Sequence, residues 1–360
     1  DEGSVWEAIS EPAMSDISNV LWVVDLNRQS LDRIIPGIRV KVWQEMMKAN
    51  GWNVIEAKYG KGLQKVFTEP HGELLRDSID GMSNEMYQRL LRISSKDLRE
   101  WLPRTSEYPE DLKSLINQFD DEYLERLFHN LGGHDFSSLR EAFSQVTYDS
   151  GPNVIFAYTM KGWMLPSIGD PQNHNVVLSN DQMEELRTKL GIAKKDVWAK
   201  VSPKSLAGKL CKKISKQMDM HQQTIGVSTR LEIPKDFGRK YAGNMSTQQI
   251  FGLVMTDISR NTPEVSKRVV TLSPDVASST NLGGWINKVG VWTRTEKELL
   301  PDEGVIRALK WEESIQGQHI ELGISENNFF LVLGQLGLSL EMNGELLFPI
   351  GTLYDPFIRR

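Results

Sequence analysis

The feature that most constrains the fold is a strand–helix–strand pattern within the first sixty residues. The short run 19–25 is apolar and rich in β-branched residues, which is typical of a strand buried on both faces. Residues 39–50 carry apolar side chains at helical spacing, and the pattern stops at Asn50-Gly51, a helix ending. Residues 52–58 form a second strand-like run. The pattern predicts a βαβ unit and therefore a parallel sheet.

The length of 360 residues suggests two domains, and the order of predicted elements agrees. After a charged, mostly helical stretch at 60–147, a strand returns at 153–159. We expect one domain over residues 1–190 and a second over 244–360. The lysine-rich and polar segment 191–243 is interpreted as the linker between them.

Two capping boxes predict where helices begin: Ser179–Gln182 in the first domain and Ser246–Gln249 in the second. The second domain continues with strand-like runs at 268–273 and 346–350. Between these strands, the segment 323–326 leads into an apolar helix. The fold class predicted from these patterns is α/β.

Composition excludes several classes of protein. A formal net charge of −6 argues against a broad nucleic-acid-binding surface. Cys211 is the single cysteine, so no intrachain disulfide, cysteine-rich zinc site or iron–sulfur cluster can form. The opening residues lack the order of a signal peptide, and the longest apolar stretch, 328–340, is shorter than the ~18–20 residues that span a bilayer. We therefore expect a cytoplasmic protein with neither nucleic acid nor membrane as a partner.

Ligands of parallel sheets bind at the carboxyl ends of the strands. The polar residues expected there or in nearby loops are Asp25, Asn27, Gln29, His134, Lys161, His174 and Asp275. Glycine-rich nucleotide loops, the nucleophile elbow and the zinc helix motif are all absent from the sequence. A magnesium site with few protein ligands is compatible with this set, because Mg²⁺ keeps phosphate and water oxygens as its other ligands. Taken alone, each residue also has an ordinary structural interpretation, Asn27 as a turn former and Lys161 as a solvated lysine.

Five segments occur in the order and spacing of a known family. They are Val20–Asp32, Gly132-Gly-His-Asp135, Thr159-Met-Lys-Gly-Trp163, Gly317–Glu326 and Phe348–Phe357. Together they resemble the thiamin-diphosphate-dependent family that contains transketolase and the homodimeric decarboxylating component of pyruvate dehydrogenase, the latter being closer. The resemblance extends over nearly the whole chain. It implies two thiamin-diphosphate-binding-type domains with parallel sheets flanked by helices, both incomplete in this chain.

For the first domain, the resemblance implies that Asn27 gives a side-chain oxygen, and Gln29 a main-chain oxygen, to the magnesium that bridges the two phosphates of thiamin diphosphate. His134 and Lys161 would face the substrate and serve as catalytic residues. His174 would lie on a mobile catalytic loop that closes over the reacting groups.

For the second domain, the resemblance implies that Glu326 is catalytic, through a hydrogen bond to a ring nitrogen of the aminopyrimidine that stabilises its imino tautomer. Phe357 and Tyr354 would pack on this ring, and Asp275 would lie near it.

The function implied is decarboxylation of a 2-oxo acid, foremost pyruvate, with transfer of the acyl group to the lipoyl arm of an acyltransferase partner. The implied assembly is a homodimer with active sites at its interface. Transketolase-type transfer of a two-carbon ketol unit is an alternative. A second alternative is a chain that is inactive alone, as a scaffold or as one subunit of a split enzyme. Because the family's Gly-Asp-Gly motif would fall before Asp1, and the rest of the second domain beyond Arg360, we expect a central piece of a longer protein.

Overall fold

The division of the backbone into two α/β units organises this protein. The computed structural model describes residues 5–14, 17–30, 33–35, 39–223, 231–236, 240–295 and 309–359. We call Asp16–Lys200 the first unit, and Asp1–Ser15 together with Val201–Arg360 the second unit. The segment interpreted as a linker contains an 18-residue helix, Leu206–Gln223. The domain limits drawn from the sequence stay a prediction.

Strands and helices are numbered here in chain order. The strands are β1 (Leu21–Leu26), β2 (Asn53–Ala57), β3 (Asn153–Tyr158), β4 (Val269–Ser273), β5 (Val291–Trp292), β6 (Glu313–Ser314), β7 (His319–Glu321) and β8 (Phe348–Gly351). The helices are α1 (Val5–Met14), α2 (Val40–Ala49), α3 (Lys61–Val66), α4 (Gly72–Gly81), α5 (Asn84–Leu90), α6 (Ser95–Trp101), α7 (Pro109–Ile116), α8 (Asp121–Phe128), α9 (Phe136–Ser144), α10 (Asn180–Lys189), α11 (Leu206–Gln223), α12 (Thr247–Asn261), α13 (Pro263–Ser266), α14 (Gly283–Val289), α15 (Glu326–Gly337) and α16 (Ser339–Asn343).

The first unit is built on a parallel three-stranded sheet in the order β1-β3-β2. β3 lies in the middle, and all six of its residues are buried. The expectation that the first strand is buried on both faces is wrong, since Leu21 and Val23 of β1 are 37% and 45% exposed. β1 is an edge strand of the described sheet and alternates between exposed and half-buried side chains up to the buried Leu26, whereas β3 has a neighbour on each side.

The second unit holds a five-stranded sheet in the order β6-β5-β7-β4-β8, with every described pair parallel. Helices cover both of its faces. Alternate residues of β4 point to opposite faces of the sheet, so this strand contacts helices on each side. Val269 packs in a cluster with Met255 of α12 and Trp285 of α14. Leu272 packs with Phe329 of α15 in a cluster on the other side.

The sequence signals for helix starts and sheet type are confirmed. Ser179 and Ser246 each form the reciprocal hydrogen bonds of a capping box at the start of α10 and α12. The stretch 60–147 is mainly helical, with α3 to α9 following one another. Both sheets are parallel and flanked by helices, as expected for the α/β class. Among the described helices, none has the length and apolar character needed to cross a bilayer.

The central position of β3 predicts that two chemically identical substitutions, one in β3 and one in β1, lower the free energy of unfolding by different amounts. Val154→Ala removes two buried carbon groups from a fully buried site, which costs about 2 kcal/mol of unfolding free energy at ~0.8 kcal/mol per CH₂ plus a cavity term. Val23→Ala on the exposed side of β1 should cost less than about 0.5 kcal/mol. Denaturant unfolding of both variants checks this expectation, and equal losses would contradict it.

Candidate functional site

A tight turn after β1 holds the two residues predicted to bind metal. Asn27 Oδ1 accepts a hydrogen bond from Gln29 N at 3.0 Å, which closes the turn through a side chain. Arg28, between them, takes the left-handed conformation (φ 63°), uncommon for a residue other than glycine. Its buried guanidinium lies 4.1 Å from the ring centroid of Tyr87, and this cation–π contact holds the turn against α5.

Gln88, which sequence reasoning missed, fixes this turn from behind. Gln29 Nε2 donates to Gln88 Oε1 at 3.0 Å, and Gln88 Nε2 donates to Asn27 O at 3.3 Å. Gln88 is completely buried on α5. Both amide groups are therefore held in a set orientation.

The turn offers neutral oxygens rather than acidic or sulfur ligands. Gln29 Oε1 is buried and has no hydrogen-bond partner among the described residues. No group of three or more His, Cys, Asp or Glu side chains that could hold a metal occurs in the part of the chain that the structure describes. This free oxygen belongs to the side chain of Gln29, whereas the resemblance implies a ligand from its main chain. Neutral oxygens of either kind suit a hard cation that brings phosphate and water oxygens with it, so the residues present fit Mg²⁺.

The loop carrying His134 lies directly against the ends of β2 and β3. Gly132 N donates to Lys58 O at 2.9 Å, and a Cβ on Gly132 would lie 2.4 Å from Ala57 O. A Cβ on Gly133 would lie 2.6 Å from Tyr158 O. The two glycines are needed because no side chain fits between this loop and the strands. The close approach carries His134 to the sheet edge.

The His134 ring is fixed in position and in protonation state. Its Nε2 accepts a hydrogen bond from Met160 N at 2.8 Å, so this nitrogen carries no proton. The ring stacks on Trp163 with centroids 4.4 Å apart. Burial lowers the pKa of His134 below its ordinary 6.5. The neutral ring therefore has its proton on Nδ1, which is a hydrogen-bond donor.

Lys161 belongs to the same edge, and His174 lies in the turn that follows it along the chain. Lys161 Nζ donates to Ser30 O at 3.2 Å, which ties the segment after β3 to the turn after β1. The Thr159 hydroxyl donates to the Asp25 carboxylate across the same two strands. His174 is exposed in the following turn, and no hydrogen bond of its side chain is found within the described residues. Its predicted role stays a prediction.

In the second unit, Glu326 is the first residue of α15 and only 6% exposed. Glu7 of α1, which sequence reasoning missed, binds the same helix end: its Oε2 accepts from Asn327 N at 3.1 Å and from Asn328 N at 3.3 Å. A carboxylate suits this position because helix N-termini present unpaired N–H groups and a positive dipole end. No side-chain hydrogen bond from the N-cap residue Ser325 serves this end.

The remaining predicted residues follow neighbouring strands of the same sheet. Asp275 comes after β4 and is exposed, with a left-handed backbone (φ 60°). Tyr354 comes after β8 and donates its hydroxyl proton to Ser279 Oγ at 2.5 Å. Its ring centroid lies 6.3 Å from that of the half-buried Phe357. Since β7, β4 and β8 are adjacent and parallel, Glu326, Asp275 and the two aromatic residues follow the carboxyl ends of neighbouring strands.

Each of the two parallel sheets has polar residues at the carboxyl ends of its strands. The fold is the transketolase-like α/β fold. A transketolase from Leishmania mexicana aligns with 99% of this chain and 42% of its own, at a TM-score of 0.55 and 14% identity. A transketolase variant from Pichia stipitis aligns over the same shares, at a TM-score of 0.53 and 11% identity. These likenesses establish the fold.

In sequence, the chain is similar to pyruvate dehydrogenase E1 components. The one from Cupriavidus necator is 23% identical over 99% of this chain and 41% of the relative. The one from Corynebacterium glutamicum is 24% identical over 99% of this chain and 40% of the relative. No family profile matches. The predicted resemblance is confirmed, and the chain spans about two fifths of the length of the curated relatives it matches.

His134 predicts a pH dependence of stability. Because its folded-state pKa lies below 6.5, the unfolded chain binds the proton more tightly. The contribution of neutral His134 to the free energy of unfolding is complete above pH ~6.5 and is lost as the pH falls through the folded-state pKa. Burial also lowers the pKa of His129, which acts in the same direction. Denaturant unfolding between pH 7.5 and 5 should therefore show a smaller loss for His134→Gln than for wild type.

The matched control is His129→Gln, which removes the second contribution, and the double variant should show the smallest loss. An unchanged loss in His134→Gln would mean that burial does not hold His134 in its neutral form.

Proposed function

We propose that this chain carries the cofactor-binding edges of a thiamin-diphosphate-dependent enzyme that decarboxylates a 2-oxo acid, pyruvate foremost. The observation that carries the proposal is the turn after β1, which contains Asn27 and a buried Gln29 side-chain oxygen that has no hydrogen-bond partner among the described residues. The sequence similarity to pyruvate dehydrogenase E1 components supports the choice of reaction.

In this proposal the first unit holds the metal and the charged end of the cofactor. Asn27 and Gln29 give oxygens to Mg²⁺, and Gln88 keeps both residues in orientation. His134 donates from Nδ1 toward the substrate, since its Nε2 is already occupied by Met160 N. Lys161, whose Nζ lies at the same edge, places a positive charge near the substrate carboxylate.

The second unit acts on the cofactor ring. Thiamin diphosphate, when bound, supplies the electron sink that decarboxylation of a 2-oxo acid requires. Glu326 holds a proton at a ring nitrogen of the pyrimidine, and its burial strengthens that hydrogen bond by excluding water. Tyr354 and Phe357 pack against the ring, and Asp275 lies near it. The cofactor roles of all four residues are part of the proposal.

The proposal extends to the assembly. We infer a homodimer with active sites at its interface, located in the cytoplasm, and a lipoyl-bearing acyltransferase that receives the acyl group. Two results would replace this proposal by one of the alternatives. Turnover of xylulose 5-phosphate with ribose 5-phosphate, without carbon dioxide release from pyruvate, would assign transketolase chemistry. Activity only after addition of a second polypeptide would assign a split enzyme.

Glu326 is expected to be essential for the chemistry. Glu326→Gln keeps the shape of the side chain but removes the acid, so carbon dioxide release from pyruvate should fall at least ~100-fold, the lower range for acid–base groups. The rate is measured on the assembly isolated with this chain. Glu341→Gln, an exposed glutamate on α16, is the control and should be unchanged. An unaffected rate in Glu326→Gln would refute the catalytic assignment.

Asn27 is expected to contribute to binding of thiamin diphosphate only when Mg²⁺ is present. Calorimetric titration of the chain with thiamin diphosphate should give binding that depends on Mg²⁺. Asn27→Ala should weaken that binding at least ~10-fold, within the range seen when metal-site partners are removed. Asn180→Ala, at an exposed position of α10, is the control. Equal affinity of Asn27→Ala and wild type in Mg²⁺ would rule out Asn27 as a ligand.

A further inference from the structure

One carboxylate, Glu321 at the end of β7, connects two loops of the second unit. Its Oε1 accepts a hydrogen bond from Asp275 N at 2.7 Å and another from Gly323 N at 3.0 Å. Its Oε2 accepts from Ser273 Oγ at 3.2 Å. Glu321 thus joins the loop after β4 to the loop after β7.

Both backbone donors belong to residues with left-handed backbones. Asp275 has φ 60° and Gly323 has φ 65°. Glycine adopts this conformation freely, whereas aspartate does so at a conformational cost that its surroundings must offset. A charge-assisted hydrogen bond from Asp275 N to Oε1 provides such an offset. The same oxygen fixes Gly323, three residues before Glu326.

A buried hydrogen-bond network places the His319 ring beside Glu321, on the side of the sheet interior. Trp285 Nε1 donates to Thr271 Oγ1 at 3.0 Å, so that hydroxyl directs its own proton elsewhere. The nearer acceptor is His319 Nδ1 at 2.9 Å, compared with Gln318 O at 3.4 Å. The proton of the fully buried His319 is then on Nε2, which lies 3.6 Å from Glu321 Oε2.

The hydrogen bonds also hold Glu321 in its charged form. Although burial alone would raise the pKa of this carboxyl, the His319 ring 3.6 Å away and the hydrogen bonds from the backbone N–H groups of Asp275 and Gly323 lower it below its ordinary range. A half-buried charge with this many donors is well satisfied in the fold.

We propose that Glu321 is a positioning residue, which sets the backbone of the two loops that present Asp275 and Glu326 to the cofactor ring. This inference rests on the proposed function. Glu321 acts through these two loops and does not touch the substrate. Its loss should therefore impair cofactor binding and turnover while leaving recognition of the 2-oxo acid intact.

The first measurement is hydrogen exchange of the free chain, followed by mass spectrometry. Glu321→Met keeps the side-chain volume but removes every acceptor. We expect exchange at residues 274–276 and 322–325 to become at least tenfold faster, with β3 of the first unit unchanged. Glu321→Gln keeps one oxygen for both N–H groups and should stay within about threefold of wild type. Glu341→Met, on the exposed face of α16, is the control.

The second measurement is cofactor affinity and steady-state kinetics of the same variants in the isolated assembly. Glu321→Met should bind thiamin diphosphate at least tenfold more weakly. With saturating cofactor, kcat should fall at least tenfold while KM for pyruvate stays within twofold. Glu321→Gln should restore most of both losses. If Glu321→Met does not fold, Glu321→Asp, whose carboxylate is withdrawn by one methylene, should show intermediate values of each quantity.

Two results would overturn the inference. Unchanged exchange at 274–276 and 322–325 in Glu321→Met would show that the carboxylate does not hold the loops. Faster exchange with unchanged cofactor affinity and kcat would show that Glu321 holds the loops but has no role in cofactor binding or turnover. If the wild-type chain itself fails to bind thiamin diphosphate, the proposed function fails, and the exchange experiment still decides whether Glu321 sets the two loops.

Discussion

Parallel pairing of strands is the constraint on which both candidate sites depend. Because β1, β2 and β3 run in one direction, the residues that follow them come to one edge of the first sheet. That edge brings Asn27 together with His134 and Lys161, both of which lie more than a hundred positions later in the sequence. The same rule applies in the second unit, where β7, β4 and β8 end together. An antiparallel arrangement would have distributed these polar groups over opposite edges.

Sequence reasoning succeeded where the chemistry is local to a strand end. The strands adjoining Asn27, Lys161 and Asp275 were evident from their apolar runs, and the position of each polar residue followed directly. It failed for β1, because an apolar run does not reveal which strand is central. Here β3, which comes after the helical stretch 60–147, inserts between β1 and β2 and takes the buried place.

The supporting residues could not be predicted, for a different physical reason. Gln88 lies 59 positions after Gln29 on a helix whose pattern indicates only burial, and Glu7 lies 320 positions before Asn327. Neither partner leaves a local signal, since a side-chain hydrogen bond across the fold has no sequence period. Glu321, by contrast, has a local signal in the sequence, because it lies in the same segment as Glu326. A carboxylate at a strand end with a glycine two residues later indicates a side chain that can accept a hydrogen bond from the loop backbone.

The contact between α1 and α15 has a consequence for synthesis on the ribosome. The strands β1, β2 and β3 of the first unit all precede residue 200, so they can pair before the second unit has been synthesised. Glu7, by contrast, must wait for Asn327, 320 positions later. At translation rates of about 5–20 residues per second, that delay is roughly 16–64 s. During this interval the helix α1 lacks its partner in α15 and is accessible to chaperones and proteases.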